Sequence, residues 1–93
     1  MINLVERQVV GLNPEFVISS YYGTIEEVSI DIHSRIDEWE PLFKIKTENG
    51  NIETIRVGIS GKIQSLEVQK GDRVIPGMVL AFIKEDLIAS ASD

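Results

Sequence analysis

Residues 61–84 read GKIQSLEVQKGDRVIPGMVLAFIK, and residues 23–46 read GTIEEVSIDIHSRIDEWEPLFKIK. Laid on each other at a shift of 38 residues, with no gap, Gly23 meets Gly61, Ile25 meets Ile63, Val28 meets Leu66, Ile30 meets Val68 and Ile36 meets Val74. Arg35 meets Arg73, Leu42 meets Leu80, Ile45 meets Ile83 and Lys46 meets Lys84. Every matched apolar position stays apolar. An internal repeat marks a unit that cannot bury its apolar face alone. Here it predicts two equivalent half-sheets related by a pseudo-two-fold axis and closed on each other.

The spacing inside each copy is that of strands. Val28, Ile30 and Ile32 alternate with polar residues, as do Ile55, Val57 and Ile59, and Ile63, Leu66 and Val68 follow Gly61 in a similar rhythm. Alternating β-branched residues fit half-buried strands. Gly11-Leu-Asn-Pro14, Glu48-Asn-Gly-Asn51, Lys70-Gly-Asp72 and Ile75-Pro-Gly77 supply turn chemistry between them. Three segments compete as helices. Residues 2–10 are disfavoured by Val9-Val10 and Gly11. Residues 34–40 resemble a capped turn with Ser34 as N-cap. Residues 84–91 are too short to be stable alone. The expected fold is all-β, a flattened sandwich (barrel-sandwich hybrid) of two pseudo-symmetric antiparallel sheets spanning residues 16–86. Residues 1–15 form an arm or extra strand, and residues 87–93 a tail. The expected core is Val17, Ile25, Val28, Ile30, Ile36, Leu42, Ile45, Ile55, Val57, Ile63, Leu66, Val68, Val74, Leu80 and Ile83.

The chain has 93 residues, 43% of them hydrophobic, which suits one small domain. Nine Lys and Arg stand against 15 Asp and Glu, for a net charge of −6. That balance lacks the attraction to phosphates behind most nucleic-acid affinity, and it disfavours anionic membranes. There is no cysteine, so disulfides, zinc thiolates, iron–sulfur clusters and Cys nucleophiles are excluded. No run approaches the roughly 18 apolar residues of a spanning helix, and residues 1–12 carry no export pattern. The expected location is cytoplasmic.

The second copy, SGKIQSLEVQKGDRVIPGMVLAFI, resembles the C-terminal half of biotinyl/lipoyl attachment domains, with Gly61, Val68, Gly71, Asp72, Val74, Gly77, Leu80 and Ile83 matching the family pattern. YYGTIEEVSIDIHSRIDEWEPLFKI is similar to the N-terminal half. The resemblance covers residues 16–85. It implies a hairpin between the halves whose tip lysine carries biotin or lipoate. Here the tip is Glu48-Asn49-Gly50-Asn51, and Asn49 or Gly50 stands at the lysine position, since the connecting segment looks one residue longer than usual. An amide nitrogen is not nucleophilic, so this is a degenerate attachment turn. Asn49-Gly50 suits a type I′ turn, with φ > 0 at both residues. The first copy also has His33-Ser34 for the family's Gly-Asp, and Trp39 for its second glycine. These replacements predict a rearranged connection with His33 at negative φ, beside a Gly71 at positive φ.

Other candidate chemistry is sparse. Lys44 and Lys46 are the nearest amines to the tip, but both lie on the preceding strand and read as solvated lysines. His33 is the only histidine, and its surroundings fit no zinc pattern. Ser34 beside it makes no nucleophilic pair, because neighbouring strand residues face opposite ways. Glu26-Glu27 and Asp37-Glu38 read as edge charges. Tyr22, Trp39 and Asn49 are candidate partner contacts; Trp39 instead reads as structural if it folds back over the sandwich end. The favoured reading is non-enzymatic: no cofactor, no metal, and a protein partner such as a carboxylase or dehydrogenase complex subunit. The alternative is a biotin or lipoate carrier modified at Lys44 or Lys46. An adaptor fragment of membrane-fusion type is disfavoured by the short central hairpin.

Overall fold

A computed structural model describes residues 15–86. They form eight strands: β1 (Glu15–Ile18), β2 (Gly23–Val28), β3 (Arg35–Ile36), β4 (Phe43–Thr47), β5 (Ile52–Ile55), β6 (Gly61–Leu66), β7 (Arg73–Val74) and β8 (Val79–Glu85). Two four-stranded sheets result, ordered β1-β8-β6-β3 and β5-β4-β2-β7, and every pairing is antiparallel. The architecture is a flattened sandwich, not a closed barrel.

The repeat is reproduced residue by residue. In one sheet Gly23 pairs with Thr47, Thr24 with Lys46 and Ile25 with Ile45. In the other Gly61 pairs with Glu85, Lys62 with Lys84 and Ile63 with Ile83. Even the irregularities correspond, since the register slips by one residue at Glu26 in β2 and at Gln64 in β6. Such a bulge bends the strand and redirects its side chains. The two glycines that open β2 and β6 are required by close approach. A Cβ on Gly23 would collide with the Lys46 carbonyl oxygen, and one on Gly61 with that of Lys84.

The crossovers between sheets differ from expectation. Residues 34–40 are not helical; they contain β3, which pairs with β6, followed by a turn closed by Glu40 N–H donating to the Asp37 carbonyl at 3.2 Å. His33 has φ +73° and Trp39 φ +65°, so both adopt the left-handed backbone of their repeat partners Gly71 (+96°) and Gly77 (+90°). The connection is not rearranged, and the reason is tertiary. His33 N–H donates to the Ile63 carbonyl at 2.8 Å, as Gly71 N–H donates to Ile25 at 2.9 Å. Trp39 N–H donates to Val57 at 2.7 Å, as Gly77 N–H donates to Ser19 at 2.8 Å. These bonds fix the backbone whatever side chain it carries. The helix considered at residues 84–91 begins inside β8, and Glu15, the last residue of the expected arm, opens β1. The last five residues of that helix, the tail over residues 87–93, the helix considered at residues 2–10 and residues 1–14 of the arm lie outside the described residues.

Twelve of the fifteen expected core residues are buried, and Val28, Val57 and Leu66 are half-buried against them. Phe43, Ala81 and Ser19 are buried in addition. Phe43 and Ala81 are repeat partners, each directly following a buried leucine. Two adjacent inward side chains break strict alternation. They are possible because Leu42 precedes β4, while the β1–β8 register skips Leu80. Ile32 and Ile52, read as strand positions, are about half exposed (49% and 48%), because β2 ends at Val28 and Ile52 opens β5 beside the hairpin tip.

Candidate functional site

The β4–β5 hairpin is the place where the resemblance puts chemistry. Thr47 and Asn51 close it: Thr47 N–H donates to the Asn51 carbonyl at 2.8 Å, and Gly50 N–H donates to the Thr47 carbonyl at 2.9 Å. Three residues therefore form the loop, Glu48, Asn49 and Gly50. Only Gly50 has positive φ, at +89°. This is a turn followed by a left-handed residue, the usual three-residue hairpin, and it corrects the expected type I′ turn. The two-residue reading failed because strand pairing ends at Thr47 opposite Asn51, one residue earlier than a turn centred on Asn49-Gly50 requires.

The tip side chains are tied to the fold. Thr47 Oγ1 lies 2.5 Å from Asn49 Oδ1 and also reaches the Asn51 carbonyl. Glu48 Oε2 accepts from Arg73 Nη2 at 3.1 Å. At the repeat-related place Arg35 Nη2 meets Asp86 Oδ2 at 2.5 Å, so the pseudo-two-fold extends to an ion pair at each end. The Arg35 hydrogen bond is the main cause holding the Asp86 carboxyl below its ordinary pKa. The Ser60 hydroxyl, which donates to the same oxygen, assists, while partial burial opposes.

A shallow cleft borders the tip, lined by Ser20, Tyr21, Tyr22, Thr47, Glu48 and Asn49 among others. Tyr22 is 63% exposed, whereas Tyr21 packs against the core. Ser19, which sequence reasoning missed, holds this loop. Its buried hydroxyl donates to the Tyr21 carbonyl at 2.8 Å and accepts from Tyr21 N–H at 3.0 Å. Its repeat partner is Val57, and only that apolar equivalence hinted at burial. Trp39 is both packed and exposed. Its six-membered ring lies against Gly58, where a Cβ would come within 2.7 Å of Cζ2, yet the residue is 62% exposed. Trp39 does not line the tip cleft.

Lys44 and Lys46 sit on β4 opposite Thr54 and Ile52. Lys44 Nζ lies 3.7 Å from Glu27 Oε1. No group of three or more His, Asp or Glu among the described residues is arranged to hold a metal ion. His33 and Ser34 stand on the Asp31–Ser34 turn, where the Ser34 hydroxyl accepts from Asp31 N–H at 3.2 Å.

No family model matches the sequence, and no curated protein matches it either. Solved structures do match. A segment of the urea carboxylase of Kluyveromyces lactis superposes with a TM-score of 0.70 at 20% identity, covering 76% of this chain and 6% of that one. A segment of a single-chain, multi-domain long-chain acyl-CoA carboxylase superposes with a TM-score of 0.72 at 14% identity, covering 84% of this chain and 8% of that one. The chain thus spans less than a tenth of either enzyme, and at this identity the likeness concerns the fold. What is shared is the flattened two-sheet sandwich, in agreement with the architecture expected from the repeat.

Proposed function

We propose that this chain is a non-catalytic, biotinyl/lipoyl-like protein-interaction module that has lost the attachment lysine and works as an assembly or regulatory subunit. The observation that carries the reading is the hairpin tip. Where a carrier presents a free amine, this protein has Glu48 paired with Arg73, Asn49 bonded to Thr47, and Gly50 in the left-handed turn. The tip is built to hold its own shape. Lys44 and Lys46 do not replace the missing amine, since both emerge from the middle of a paired strand and Lys44 stands beside Glu27. The exposed Tyr22 next to the tip supplies the kind of aromatic anchor that protein interfaces favour. The fold shared with segments of two carboxylases makes a carboxylase assembly the partner class to test first, with a dehydrogenase complex as the other class that the family resemblance implies.

Intact-mass measurement after co-expression with biotin and lipoate ligases tests the reading. The wild type is expected to purify unmodified. An adduct on Lys44 or Lys46 would make the protein a carrier and end the proposal. The Asn49→Lys variant keeps Glu48 and Gly50, and it is expected to gain one acyl group because lysine is the missing element. A folded variant that stays unmodified would mean that the ligase-facing surface has diverged too.

A further inference from the structure

A second surface, the waist groove, shares no lining residue with the tip cleft. The ends of β2 and β6 and the residues that follow them line this open groove of about 570 Å³. Its floor is symmetric and apolar: Val28 and Leu66 are repeat partners, as are Ile30 and Val68. Its rims are not symmetric. One carries Glu26, Glu27 and Asp31; the equivalent positions on the other are Gln64, Ser65 and Gln69.

This contrast is an internal control, because the same backbone is built twice. Glu26 and Gln64 are the two bulge residues, so the bulge does not need a carboxylate. Asp31 and Gln69 open equivalent turns that use only their backbone groups: Ser34 N–H donates to the Asp31 carbonyl at 3.1 Å, and Asp72 N–H to the Gln69 carbonyl at 3.0 Å. Glu27 is accounted for locally, since it accepts from the Ser29 hydroxyl at 3.1 Å as Glu67 accepts from Ser65 at 2.9 Å. Glu26 and Asp31 make no ion pair or side-chain hydrogen bond among the described residues. They are charges the fold does not require, at the edge of a groove with an apolar floor.

We propose that the waist groove docks a basic, extended segment of a partner protein, with arginine or lysine head groups against Glu26 and Asp31 and their hydrocarbon stems, with a neighbouring aliphatic side chain, on Val28 and Leu66. Long cationic side chains lie along apolar surface in this way, and the net charge of −6 steers such a partner toward the protein. The single cation on the opposite rim, Lys70, sets the direction in which the segment lies. The inference does not depend on the state of the hairpin tip.

Titration of the isotope-labelled protein with a hexapeptide of alternating arginine and leucine tests it, read by methyl chemical shifts. The methyls of Val28, Ile30, Leu66 and Val68 are expected to shift together, and added salt should weaken the binding. The double variant Glu26→Gln, Asp31→Asn, which puts neutral amides where the other half has Gln64 and Gln69 on the same backbone, should bind about fivefold more weakly, the loss expected of two exposed ion pairs. Three results would overturn the proposal: peptide shifts centred elsewhere on the surface, equal binding by the double variant, or equal binding of a peptide with glutamate in place of arginine. None of these readouts depends on acylation, so failure here is separable from failure of the proposal for the tip.

Discussion

The two crossovers, residues 29–42 and 67–80, follow one backbone path with different residues. The second uses Gly71 and Gly77 where φ is positive; the first uses His33 and Trp39 at φ +73° and +65°. A left-handed residue other than glycine costs about 1 kcal/mol or more. The first half bears that cost twice, and the main-chain bonds from His33 to Ile63 and from Trp39 to Val57 hold it there. Trp39 recovers part of it by laying its ring on Gly58. The difference teaches that in this sandwich the hydrogen-bond frame selects the backbone, while side chains at these positions are free to serve other ends.

The strongest test of equivalence is at the glycines that open β2 and β6. Gly23→Ala and Gly61→Ala should each destabilise by about 2–3 kcal/mol in urea unfolding, because the new methyl meets a backbone carbonyl that cannot retreat. Unequal losses would break the symmetry, and a neutral Gly61→Ala would refute the close approach. Next comes the contrast between the crossovers. Gly71→Ala should cost about 1 kcal/mol, as alanine is strained at φ +96°. His33→Gly should be neutral or stabilising by less than about 1 kcal/mol, because relief of strain is offset by the entropy of a more flexible unfolded chain. A clear loss in His33→Gly would mean that the imidazole holds the turn.

The smallest effect is expected at the end ion pairs. The Asp86 pKa is lowered in the folded state by Arg35. Its contribution to stability is therefore present above the unfolded carboxyl value and is lost as pH falls through the lower folded value. Arg35→Met should flatten that acid limb by removing the small contribution the pair makes at neutral pH, while stability below the folded carboxyl value stays unchanged; the effect is small because exposed pairs contribute little. Arg73→Met, which frees Glu48, should loosen the hairpin tip, read as faster amide exchange at Glu48–Gly50. An acid limb that survives Arg35→Met would point to a different carboxylate.

Much of this was legible in the residues themselves. The shift that superposes Gly23 on Gly61 and Ile45 on Ile83 points to two equivalent sheets and most of the core, because a two-residue side-chain period and a turn glycine are local properties of the chain. The composition of the hairpin tip, Glu48-Asn49-Gly50, is likewise read directly from the chain. Other features waited for the tertiary structure. The left-handed conformations of His33 and Trp39 and the burial of Ser19 each depend on a partner far along the chain: the carbonyls of Ile63, Val57 and Met78, the last accepting from Ser19 N–H at 2.9 Å. The three-residue loop depends on where the β4–β5 pairing stops. Local propensity sees a residue and its neighbours. A hydrogen bond from Trp39 to Val57 exists only once the two sheets have closed, and by then the backbone conformation of Trp39 is no longer the choice of its own side chain.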